Sequence, residues 1–158
     1  MGWITLSARE QLLNQDIHSL EQQDMTLSRQ LRLNQKQLSY DQSVFSRMKN
    51  EELRAIKEEY DEIRNQRTNF EYGSDEYNEW QAEYAAARED YEAQKMEIEE
   101  YYDTLNNERE EQSTDKETEI SDQQVTIETQ LESSKAELET VKDAKSKDID
   151  RQKLNLKN

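Results

Sequence analysis

The sequence predicts an all-α protein: a long antiparallel helical hairpin, a coiled coil turning at Gly73-Ser74 and assembled into a larger helical bundle. Three observations predict it. The chain has 158 residues, no proline and only two glycines, so tight turns for a many-stranded sheet or a loop-rich enzyme have few residues to be built from. Charged residues make up 37% and hydrophobic residues 32%, against roughly 45–50% apolar in an ordinary soluble domain. Apolar side chains recur at alternating three- and four-residue spacing along most of the chain, as a coiled-coil seam requires.

The chain reads as one coiled-coil domain over 1–158, with helix 1 over about 7–71, helix 2 over about 74–146 and 147–158 as a projecting or frayed tail. Ser7-Ala8-Arg9-Glu10 fits a capping box, in which the serine and the glutamate satisfy each other's backbone N–H. Leu13, Ile17, Leu20, Leu27, Leu31, Leu38, Phe45 and Met48 then hold a seven-residue repeat. The phase slips by one, and Leu53, Ile56, Tyr60, Ile63 and Phe70 continue it.

Gly73 supplies the left-handed backbone that ends a helix. Ser74 supplies the cap of the next, with Asp75 and Glu76 at its positive end. Tyr77, Trp80, Tyr84, Ala87, Tyr91, Ile98, Tyr101 and Leu105 form the second seam. Ile120, Ile127, Leu131, Leu138 and Val141 resume it after a polar stretch. Within that stretch Thr114 and Glu117 match a second capping box, so a three-helix bundle broken at 106–114 is the alternative fold.

Register favours the hairpin. In an antiparallel pair, facing residue numbers have a constant total. Phe70 with Tyr77, Ile63 with Tyr84, Tyr60 with Ala87, Ile56 with Tyr91, Leu27 with Ile120, Leu20 with Ile127 and Leu6 with Val141 all total 147. A helix folding back at 106–114 has no reason to keep that total. The phase slip of helix 1 is answered by one between Leu105 and Ile120, at a different level. Each arm then holds about 65 residues, roughly 100 Å of helix.

In this register Leu31, Leu33 and Leu38 face a stretch, 106–119, without large apolar side chains. Either long basic stems cover them or another chain does, and the expectation is a homo-oligomer or a larger assembly. Most of the tyrosines and Trp80 cluster between residues 60 and 102. Most fit the seam, while Tyr72 and Tyr102 fall off it and are candidate anchors for a partner protein. Trp3, with Ile4 and Leu6, is a candidate plug at the other end.

Charge and chemistry narrow the function classes. The net charge is −16, concentrated in residues 51–112, which carry seven basic and twenty-one acidic side chains. Non-specific nucleic-acid binding needs a basic face, so no nucleic-acid partner is expected. No apolar run approaches the length of a membrane span, and the N-terminus lacks the pattern of a secretory signal. The expected locations are the cytoplasm, the interior of a particle, or export without a leader. With no cysteine and one histidine, His18, thiolate sites are excluded and a structural zinc site lacks ligands. No glycine-rich phosphate loop or nucleophile elbow is present.

Catalytic, cofactor and metal roles are therefore not expected. The expected function is that of a non-catalytic structural protein, a coiled-coil rod that spaces or clamps components of a virion, an appendage or a secretion apparatus. The alternative is an acidic adaptor or chaperone that holds a basic partner at an aromatic tip near the turn.

Overall fold

The computed structural model describes residues 2–157. Two long helices form an all-α hairpin, α1 over Trp3–Asn65 and α2 over Asp75–Lys157, joined by a short 3-10 turn at Gln66–Asn69. The described residues contain no strand.

α1 starts at Trp3, ahead of the predicted capping box. Its first bond outside the regular ladder runs from the Leu6 N–H to the Gly2 carbonyl at 3.1 Å. Leu6 is buried against Leu13 and Val141, and that burial draws the helix past Ser7, which lies inside it. At the other end α1 tightens into the 3-10 turn, and Phe70 leaves it in an extended conformation.

The turn forms as predicted. Gly73 has φ of 80°, a conformation that costs a residue with a Cβ about 1–2 kcal/mol. The Ser74 Oγ accepts from the Tyr77 N–H at 3.1 Å and donates to the Glu71 carbonyl at 2.7 Å. One hydroxyl thus caps α2 and closes the loop.

α2 is continuous through 106–114, so the three-helix alternative is excluded and Thr114 lies inside the helix, not at the start of one. That stretch has no Gly or Pro, and Arg109 is held inward by Asp41. The expected frayed tail is helical to Lys157 and exposed from Asp150 to Lys157.

The fold divides into two compact units, Met1–Asn34 with Asp115–Asn158 and Gln35–Thr114. The first is aliphatic. Leu6, Leu13 and Val141 form one buried cluster with Leu138 beside it, and Leu27, Ile120 and Ile127 form another flanked by Leu20, Leu31 and Leu131. Burying each such side chain is worth about 2 kcal/mol. Arg9 with Glu137 at 2.6 Å and Lys145 with Glu10 at 3.0 Å bridge the flanks, as exposed or half-exposed pairs of small energetic weight.

The second unit is built from tyrosine. Tyr60 stacks between Tyr84 and Tyr91 at ring-centre distances of 5.6 and 5.0 Å, around the Ala87 level that the register predicts. Trp80 stacks on Tyr84 at 5.3 Å, and its indole N–H donates to the Ile63 carbonyl at 2.7 Å. Ile63 lies in the last turn of α1, where carbonyls lose their helical partners, so the tryptophan satisfies the end of the opposite helix.

The inward rows of buried and half-buried residues locate the phase slip. α1 presents Leu13, Leu20, Leu27 and Asn34, then Ile56, Ile63 and Phe70. α2 presents Tyr77, Tyr84 and Tyr91, then Ser113, Ile120, Ile127 and Val141. Asn34 to Ile56 and Tyr91 to Ser113 are both intervals of 22 residues, two 11-residue repeats in place of three heptads. An 11-residue period relaxes the left-handed supercoil that heptads impose. The two slips therefore match, contrary to the expectation that they lie at different levels.

Candidate docking surfaces

The slip decides which side chains face inward. On α1 the half-buried row steps from Phe45 to Lys49 and Leu53, which leaves Met48 largely exposed. On α2 it steps from Ile98 to Tyr102, so Tyr102 is 1% exposed and Tyr101 is 57% exposed. The assignment of Tyr102 as an outward anchor is thereby corrected, because the seam advances by four residues where strict heptads advance by three. Its hydroxyl donates to Glu52 Oε1 at 2.6 Å. That bond to a carboxylate, reinforced by burial, pushes the phenol up to about 12.

The other predicted contact residues separate. Leu31 packs against the Leu27–Ile120–Ile127 cluster, so the expectation that it lacks an apolar partner is corrected. Lys116 occupies its own level, and the cluster that covers it lies at neighbouring levels. Leu38 is half-buried on the inward row, whereas Leu33 is 58% exposed. Trp3 is partly exposed in the first turn of α1. Tyr72, at the turn, is 83% exposed, with its ring 5.1 Å from that of Tyr77. Glu71, Asp75 and Glu76 surround it in sequence.

A polar belt crosses the slip. Asp41 accepts from Arg109 Nε at 2.6 Å and from Gln37 at 2.8 Å. Arg109 first, then Gln37, holds the Asp41 carboxyl below the usual carboxylate range. On one flank of the seam Gln42 donates to Glu110 at 2.8 Å, and Lys49 lies 4.0 Å from Asp103. Between Gln35 and Asn65, α1 has no fully buried residue.

Two further observations concern chemistry. His18 is exposed on α1, and no three His, Asp or Glu side chains among the described residues are gathered as a metal site. No helix of the described residues is long and apolar enough to cross a membrane.

Strict heptads put Met48 and Tyr101 on the seams and leave Tyr40 unassigned, whereas all three are exposed. Tyr40, Val44 and Met48 follow each other at four-residue spacing on α1, a signal visible in the sequence but eclipsed by the stronger seam one residue later. No protein family, curated protein or solved structure matches the chain.

Proposed function

We propose that the chain is a non-catalytic assembly protein, a self-associating coiled-coil hairpin that spaces or clamps components of a larger particle or machine. A virion, an appendage or a secretion apparatus are the settings that suit it. The observation that carries this reading is the balance of apolar side chains. Among the described residues thirteen large hydrophobic side chains are exposed and ten are buried. A two-helix seam uses one stripe of each helix, and long helices draw most of their stability from packing. Further helices supply the missing cover. Sedimentation equilibrium of the full chain tests the reading, with a mass of at least two chains at micromolar concentration expected. A single-chain mass throughout the accessible range refutes self-association.

A second reading, an acidic adaptor, is favoured by Tyr72 alone. An exposed aromatic ring amid Glu71, Asp75 and Glu76 suits a basic peptide, as tyrosine anchors do at interfaces. Binding of a lysine-rich peptide that is weakened by Tyr72→Ala supports it, and equal binding by both chains removes it.

A further inference from the structure

The two flanks of the seam within Gln35–Thr114 differ. Gln42 follows Asp41 by one residue, and Glu110 follows Arg109 by one. Their hydrogen bond shows that residues one step after the inward row share a flank. Lys49 and Asp103 meet on that same side, so polar bridges close it. A residue one step before the inward row is turned about 100° the other way on a helix. Tyr40, Val44 and Met48 on α1 and Tyr101 and Leu105 on α2 hold that position, and all five share the opposite flank. The Asp41–Arg109 and Glu52–Tyr102 bonds set them at one level. Tyr40 is 64% exposed, Met48 45% and Tyr101 57%, and the polar bridge on this side, Glu52 with Tyr102, stands at the end of the row, four residues beyond Met48.

Charge borders this flank with opposite signs. Lys36 and Arg47 stand on the outer side of α1, and Glu97 and Glu108 on the α2 side. All four are exposed, and none joins an ion pair among the described residues. Such a border selects the partner's orientation. A two-fold axis parallel to the helices sets α1 of one chain against α2 of the other. Lys36 then lies near the level of the partner's Glu108, and Arg47 near that of the partner's Glu97. A two-fold axis across the helices sets Lys36 against Arg47 and Glu97 against Glu108, a repulsive match.

We infer that this flank is the self-association face: a second copy docks on Tyr40, Val44, Met48, Tyr101 and Leu105 about a two-fold axis parallel to the helices, giving a four-helix bundle. The inference rests on the self-association proposed above and names its surface. Helices of opposite chains pack there as in other bundles, and the face is isologous, as a two-fold requires.

Sedimentation equilibrium on full-length chains tests it, with far-UV circular dichroism as the folding control. Tyr40→Gln with Tyr101→Gln weakens association at least about tenfold while helix content is unchanged. Lys36→Glu with Arg47→Glu weakens it, and so does Glu97→Lys with Glu108→Lys in a separate chain. Mixing these two charge variants restores a two-chain mass, because each acidic α1 then meets a basic α2. A mixture no heavier than its components overturns the inference, as does wild-type association that none of the substitutions alters. In that second case self-association itself stands. A wild-type chain that is a monomer at every concentration removes both.

Discussion

The aliphatic unit holds its helices together with Leu6, Leu13, Leu27, Ile120, Ile127 and Val141, side chains without polar atoms. In the tyrosine unit the buried rings stack and also hydrogen-bond: Trp80 to a backbone carbonyl, Tyr102 to a carboxylate, with the half-buried Tyr60 bonded to Tyr84. Apolar burial scales with area and has little preferred direction, so leucine seams tolerate small adjustments. A ring whose N–H or O–H must reach one acceptor does not. All eight tyrosines lie in the second unit, so ionisation of phenols acts on that unit alone.

The largest effect expected from breaking this contrast is at Trp80. Trp80→Ala removes the stack and leaves the Ile63 carbonyl without its donor, and destabilises by about 4 kcal/mol. Trp80→Phe keeps a ring and loses the donor with part of the indole's packing surface, at about 1–3 kcal/mol. Urea unfolding measures both, and a Trp80→Phe chain as stable as the wild type would show that direction contributes nothing there. Leu13→Ala in the aliphatic unit costs about 3 kcal/mol, all of it from transfer and cavity. Native-state hydrogen exchange should place that loss in Met1–Asn34 and Asp115–Asn158. Ser74→Ala costs about 1 kcal/mol as a lost cap, read from the shift of the urea midpoint.

The alkaline response is the smallest and the most selective. Tyr102 holds its proton to about pH 12 in the fold, above its ordinary value of 10. The folded chain thus binds a proton that the unfolded chain releases, and stability falls as pH rises from 10 toward 12. Tyr60 is raised in the same sense, chiefly by its bond to Tyr84. Hydrogen exchange should accelerate first within Gln35–Thr114. Uniform acceleration across both units would erase the distinction. Tyr102→Phe removes this residue's share of the pH dependence.

The hairpin, its turn and its register were legible because each rests on local chemistry or on a long repeat. Gly73 and Ser74 announce a stop and a start, and Leu27 meets Ile120 as their numbers predict. The misreadings have physical causes. Ser7 looked like a cap because capping chemistry is local, while the burial of Leu6 against Val141 is not. Tyr101 and Tyr102 are adjacent tyrosines, and only the helix period distinguishes them, so an error of one residue in the slip exchanged a core ring for a surface ring. Leu31 lacks a partner only at its own level, and it packs against the cluster of Leu27, Ile120 and Ile127. Among the candidate contacts, Leu33 and Tyr72 are exposed, because neither residue lies on the repeat.

The matched 22-residue intervals make the two helices behave like the two edges of one ruler. A deletion of seven residues from α1 alone keeps its own face and still throws every later mark out of step with α2. Removing Asp16–Gln22 together with Val125–Leu131 takes one division from both edges and leaves the remaining pairs aligned, with each helix shorter by about 10 Å. Length in this fold is therefore editable, but only in paired steps.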